Sequence, residues 1–214
     1  MRNPVIYFDD RSGRKFSIEN APFDAKIMTD PAAESARILS LGYPIGLISG
    51  RSEFGPRALG GRCILADPRP KNMTTYLNDR IKHREWFRPY APIVPLERAG
   101  DFFELECESP YMLLVVKIRK EWKEKISGVV HVDGSARVQT VTRDQDPFLC
   151  DLLIAFEQIT GIPILILTSF NDHGDPIVET PLDAFSCFAS TDLPYLALGN
   201  RLLSKRLLPE PCRG

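Results

Sequence analysis

The sequence predicts an α/β (α+β) fold, a twisted mixed sheet with helices packed on it. Three observations point there: helical segments alternate with short, fully apolar runs of strand length, each helical segment carries its own start and stop residues, and no internal repeat or low-complexity linker interrupts the series. With 214 residues, 43% apolar and 26% charged, the chain can bury one sizeable core.

The first 29 residues, with "FDDRSGRKFSIENAPFD", are mixed and turn-rich and read as a lead-in arm. A helix then starts at Asp30, a cap residue followed by Pro31 at the first helical position and Glu34 in the first turn, and it stops at Gly42. It feeds "YPIGLISG", a buried strand bounded by glycine, and "YMLLVVKI" (111–118) reads as another continuous apolar strand. In "DPFLCDLLIAFEQITG", Asp146 and Pro147 open a second helix, Leu149, Leu152, Leu153 and Phe156 share one face, and Gly161 ends it before the strand "IPILIL". Thr180 and Pro181 open a third helix, "TPLDAFSCFAST", ahead of the strand-like "LPYLAL". The division that follows is an arm over 1–29, one domain over 30–205 and a tail over 206–214.

Charge narrows the partners. Lys and Arg number 27 against 28 Asp and Glu, so a net charge of -1 offers no global attraction to nucleic acid or to an anionic membrane, and an anion site has to be local. No apolar run approaches the roughly 18 residues of a membrane span, and the start has no signal-peptide pattern, so a soluble cytoplasmic protein is expected. The five cysteines form no C-x-x-C pair and read as small buried hydrophobes, Cys212 excepted; the three histidines have no metal-site spacing, so no protein-held metal is expected.

Four segments combine cations or small hydroxyls with glycine or proline turns: "GRSEFGPRALGGRCILADPR" (50–69), "IKHREWFRPYAP" (81–92), "HVDGSAR" (131–137) and "LTSFNDHGDPI" (167–177). In the first, Arg51, Arg57, Arg62 and Arg69 alternate with Gly50, Gly55, Gly60 and Gly61, a combination that suits phosphate, because glycine lets backbone amides approach an anion and arginine adds a rigid two-pronged donor. In the second, Lys82, Arg84 and Arg88 surround Trp86 and Phe87. In the fourth, Ser169 and Asn171 sit where a strand opens into a loop and read as ligand donors. Each segment also has a bland reading: single arginines pair with Glu53, Asp67 or Glu85, and "TSFNDHGD" is an Asn/Asp turn.

Taken together and in this order, "FGPRALG", "RCILADPR", "KHREWFRPYAP", "SPYM", "HVDGSARVQTV", "TGIPIL", "TSFN" and "GDPIVETP" resemble the C-terminal domain of the NodU-type carbamoyltransferases over about residues 32–200. The resemblance implies a YrdC-like fold that takes carbamoyl phosphate and ATP with Mg²⁺, forms carbamoyl adenylate and releases phosphate and pyrophosphate. It also implies a separate ASKHA-type, iron-containing domain or chain that passes the carbamoyl group to an acceptor hydroxyl. The family's substrate contacts carry over to Arg57, Lys82, Arg88, Arg137 and Ser169, with Asn171 beside them. Lys82, Arg88 and Arg137 then take the catalytic part, and Asp133 and Ser135 shape the turn before Arg137. Neutralising phosphoryl charge needs no protein nucleophile, and three arginines with a lysine are a fitting complement. Their head groups are expected to converge within roughly 10 Å on one cleft.

Two departures from the family pattern stand out: Leu167 where an Asn precedes "TSFN", and "GGRCILADPR" in place of "GNRSILADPR", with Gly61 and Cys63. Leu167 is expected to remove one substrate hydrogen bond, worth about 1–3 kcal/mol. It favours an alternative reading, a non-catalytic nucleotide- or ligand-binding module. RNA binding through a YrdC-like basic face is a third reading, and the net charge argues against it.

Overall fold

Every predicted helix begins at its predicted cap. The computed structural model describes residues 23–212, and before them the backbone of two short antiparallel strands, β1 (Ile6–Asp9) and β2 (Lys15–Ile18); the rest of the expected arm lies outside the described residues. Strand β3 (Phe23–Ile27) leads into helix α1 (Pro31–Ser40), where the Asp30 carboxylate accepts from the Ala33 amide at 3.0 Å. Next come β4 (Ile45–Ile48) and β5 (Arg62–Ala66), both wholly buried.

A short helix α2 (Met73–Tyr76) runs into a π-helical stretch over Leu77–Lys82, which ends on His83 in the left-handed region at φ 42°. Strand β6 (Ala91–Pro95), helix α3 (Leu96–Phe102), β7 (Val115–Lys117), β8 (Ser135–Arg137) and β9 (Gln139–Val141) follow. Helix α4 (Pro147–Thr160) is capped by Asp146, which accepts from the Leu149 amide at 2.9 Å, and ends on left-handed Gly161. Strand β10 (Leu165–Ser169), helix α5 (Pro181–Ser190) with a complete Thr180/Asp183 capping box, and the hairpin of β11 (Tyr195–Leu198) and β12 (Arg201–Lys205) complete the domain.

The main sheet has eight strands in the order β3-β12-β11-β4-β5-β10-β6-β9. The β11/β4 and β6/β9 pairs are parallel and the remainder antiparallel, so the sheet is mixed, as the alternation of helices and apolar runs requires. Helices cover both faces. One apolar cluster gathers α1 and α4, whose Leu149, Leu152, Leu153 and Phe156 are fully buried, each side chain worth roughly 1.5–3 kcal/mol of transfer free energy. The other gathers α2, α3 and α5.

Three expectations change. Phe23–Ile27, assigned to the arm, is the edge strand of the main sheet, paired along the whole of β12, so the domain begins before residue 30. "YMLLVVKI" is not one continuous strand: Val115–Lys117 pairs with β8 in a separate two-stranded sheet, Ile118 makes a lone bridge to Phe103, Met112 adopts φ 55°, and Leu113 and Val115 are exposed. A continuous apolar run states hydrophobicity but not which neighbours cover it. In the tail, Cys212 is buried, with its amide on the Gly42 carbonyl at 3.0 Å, whereas Cys107 is the exposed cysteine. Gly42 is at φ 89°, and a Cβ there would lie 2.0 Å from the Cys212 carbonyl oxygen, so this glycine both ends α1 and admits the returning tail.

Candidate functional site

The glycine-rich segment 50–62 does cradle an anion, and the anion is its own. One carboxylate oxygen of Glu53 accepts from four successive backbone amides, Leu59 at 2.7 Å, Gly60 at 2.9 Å, Gly61 at 2.6 Å and Arg62 at 3.3 Å. Gly61 is required for this approach, since a Cβ there would sit 2.6 Å from the Arg51 carbonyl oxygen. Arg62, almost fully buried, donates to the carbonyls of Glu179, Ser49, Gly50 and Gly61, and Arg69 forms a forked pair with Asp67. Two of the four arginines in 50–69 are therefore structural. Glu53 borders two clefts, one of about 580 Å³ lined by Gly50, Arg51 and Gln139, and one of about 500 Å³ lined by Ser52, Ser169 and Asn171.

Lys82 bonds two residues that line the second cleft, Ser169 and Asn171. It stands at the end of the π-helical stretch, a rare geometry that recurs at functional sites. Its side chain is nearly fully buried, and its ammonium donates to the Ser169 carbonyl at 2.8 Å, the Asn171 carbonyl at 2.6 Å and the Asn171 side-chain oxygen. All three protons are thus engaged by neutral oxygens. Burial, and next the Arg84 guanidinium, bring its pKa down to about 7. In this arrangement Lys82 holds the loop after β10 rather than presenting a free cation, which differs from its expected place among the anion ligands. The same loop is closed by Ser169 Oγ donating to Asn171 Oδ1 at 2.7 Å and Asn171 Nδ2 donating to the Asp175 carbonyl at 2.7 Å.

Arginines 57, 84 and 137 behave otherwise. None forms an ion pair with a carboxylate among the described residues. Nε of Arg137 and Nη2 of Arg84 are buried without an acceptor. Burial pulls the Arg137 guanidinium below its ordinary pKa, and the nearby charges of Arg57 and Arg84 pull it further; Arg84 is lowered by burial too, with Arg88 adding to the repulsion. Arg84 acts on Lys82 as well as on Arg137. Arg88 is half-exposed and faces Glu85 at 3.7 Å, a contact of little energy.

The turn before Arg137 is built as expected. Asp133 Oδ1 accepts from the Ser135 amide at 3.0 Å and from its hydroxyl at 2.5 Å, which brings the Asp133 carboxyl down to about 2, and Gly134 takes φ 77°. Leu167 departs from expectation. It is 2% exposed and packs with Cys63 and Leu65 in the apolar cluster under α1 and α4, so its side chain faces a core and no substrate hydrogen bond is lost there. Two features escaped the sequence reading, the buried Arg84 Nη2 without an acceptor and Glu53 as the occupant of the glycine turn. Glu85, offered in sequence as a partner for a neighbouring arginine, faces Arg88 in the fold.

Comparison with known proteins now bears on this arrangement. The family model described as Carbamoyltransferase C-terminus matches residues 36–205. Nodulation protein NolNO of Sinorhizobium fredii is 46% identical over 180 residues, covering 83% of this chain and 26% of its own length. Nodulation protein NolO of Bradyrhizobium diazoefficiens is 40% identical over 214 residues, covering 96% of this chain and 39% of its own length. This chain thus spans well under half the length of these relatives. Among solved structures, full-length HypF in the phosphate- and nucleotide-bound form superposes with a TM-score of 0.55 at 14% identity, over 87% of this chain and 23% of that one, a likeness of fold.

Proposed function

Since the chain belongs to the carbamoyltransferase C-terminus family, we propose that it binds ATP and carbamoyl phosphate and forms carbamoyl adenylate, which the remainder of a longer protein or a partner chain uses to carbamoylate an acceptor hydroxyl. The observation that carries this reading is the set of arginines at 57, 84 and 137, which share no carboxylate and hold two buried N–H groups without acceptors. Buried donors of this kind cost free energy until something accepts from them, and a phosphoryl group supplies both the charge and the oxygens.

In this reading Arg57 and Arg137 bind the phosphoryl oxygens directly, and Arg88 closes the site from its exposed position by leaving Glu85. Lys82 keeps Ser169 and Asn171 in place at the cleft edge, so that the Ser169 hydroxyl can turn from Asn171 to substrate. Water releases phosphate from carbamoyl phosphate, a carbamate oxygen attacks the α-phosphorus of ATP, and pyrophosphate leaves; the protein's part is alignment and neutralisation of charge. Mg²⁺ entering with ATP would supply further neutralisation of phosphoryl charge. The relatives' greater length is the room for the acceptor domain, which the family resemblance makes ASKHA-type and iron-containing.

The test is pyrophosphate release by the chain given ATP, Mg²⁺ and carbamoyl phosphate. Release that depends on carbamoyl phosphate is the expected result. Binding of both ligands with pyrophosphate at background would instead assign a ligand-binding module without turnover.

A further inference from the structure

We propose that His83 and Asp172 form a latch that sets the orientation of the loop after β10, and with it the placement of Ser169 and Asn171 in the second cleft. Both are positioning residues, and the proposal rests on the anion-binding reading above. His83 Nδ1 lies 2.8 Å from Asp172 Oδ1. A carboxylate can only accept, so the imidazole carries its proton on Nδ1 and donates. Asp172 is itself fixed within its own turn, because the same oxygen accepts from the His173 amide at 2.6 Å. Burial pushes the Asp172 carboxyl up, and the bonds from His83 and from the His173 amide bring it below its ordinary value.

The backbone of His83 adopts φ 42°, in the left-handed region that glycine enters freely and other residues enter at a cost. Its N–H donates to the Asn78 carbonyl, so this strained residue closes the π-helical stretch. A residue held under strain where glycine would be relaxed points to a use for its side chain. The neighbouring Lys82 shows what that use is. Its ammonium donates to the carbonyls of Ser169 and Asn171, but an ammonium at the end of a flexible stem is a pivot, and a loop held by it alone can still turn. A second bond, from the next residue of the π-helical end to the next residue of the loop, removes that turn. Lys82 with Asn171 and His83 with Asp172 are thus two adjacent rungs between the same two segments. Ser169 and Asn171 line the second cleft, whereas His83 and Asp172 stand outside its lining, so the latch acts on a ligand there through the loop.

Calorimetric titration with carbamoyl phosphate and, separately, ATP tests the latch on wild type, His83→Gly, Asp172→Ala, Asp172→Asn and Arg137→Ala, with ligand-free melting temperatures and amide hydrogen exchange over residues 170–176 measured alongside. In His83→Gly the backbone strain goes with the side chain, so the melting temperature should be kept or raised. Exchange in the loop should quicken, and affinity for at least one of the two ligands should fall about 3- to 10-fold. Asp172→Ala should lose as much, and Asp172→Asn, whose side-chain oxygen still accepts from the imidazole, should stay within about twofold of wild type. The two Asp172 variants separate position from charge. If Asp172 acted only as a negative charge near the anion site, both would bind the ligands more tightly, and that outcome overturns the latch. Faster exchange with unchanged affinities in His83→Gly and Asp172→Ala overturns the positioning role, and unchanged exchange overturns the latch itself. In either case loss of binding in Arg137→Ala leaves the anion site standing. A wild-type chain that binds neither ligand overturns the anion site and the latch together.

Discussion

Two arginine-bearing regions of this chain look alike in sequence and end in opposite states. In the turn at 59–62 the four amides close on Glu53, and the neighbouring Arg62 and Arg69 are satisfied within the chain. At Arg57, Arg84 and Arg137 no carboxylate forms an ion pair among the described residues, and two buried donors stay open. Both patterns are ways of holding an anion, and the difference is where the anion comes from. A site that supplies its own negative charge is scaffold, stable without ligand; a site that withholds it is poised for a ligand and costs stability until one arrives.

The largest expected effect breaks the self-satisfied side. Glu53→Ala removes the acceptor of four amides, and urea denaturation should show a loss of about 2–3 kcal/mol, the worth of charge-assisted hydrogen bonds whose partners are left partly buried. An unchanged midpoint would mean that water replaces the carboxylate freely and that the turn is not held by it. On the open side, Arg57→Ala and Arg137→Ala should each weaken carbamoyl phosphate binding by about 1.5–3 kcal/mol with the ligand-free melting temperature unchanged or slightly raised. A fall in melting temperature with intact binding would put these arginines in the scaffold class with Arg62.

Leu167→Asn sharpens the boundary between site and core. The position faces the cluster of Cys63 and Leu65, so an amide there should cost about 1–3 kcal/mol of stability without tightening substrate binding. A gain in carbamoyl phosphate affinity would show that this face opens to the ligand.

A further effect, read against pH, concerns Lys82, which lies between the two regimes, fully bonded yet buried among cations. Its folded pKa of about 7 lies below its ordinary value of 10.5. Between those pH values the unfolded chain binds the extra proton, so Lys82's contribution to stability rises as pH rises from 7 toward 10.5 and is flat below 7. Stability curves of wild type and Lys82→Met should therefore diverge in the wild type's favour across that window. Parallel curves would mean that the three carbonyls keep the ammonium charged throughout.

Local signals were legible wherever a residue acts on its own neighbours in the chain. Asp30, Asp146 and Thr180 cap the amides three residues on, Gly161 ends its helix in the left-handed region, and Asp133 closes on Ser135, because each partner lies within a few positions and the geometry follows from backbone alone. The string of motifs also carried the family, and with it the fold. Long-range choices were not legible. That Phe23–Ile27 joins the main sheet, that Leu113 and Val115 lie on the surface and that Leu167 faces a core depend on which strand comes alongside, a decision made by the whole sheet. The fate of each cation was decided the same way. Arg57, Arg62, Lys82, Arg84 and Arg137 are equal in sequence as positive charges, and only the tertiary structure brings carbonyls to Arg62 and Lys82 while bringing further cations to Arg84 and Arg137, since an ion's partner is set by distance through space and not along the chain.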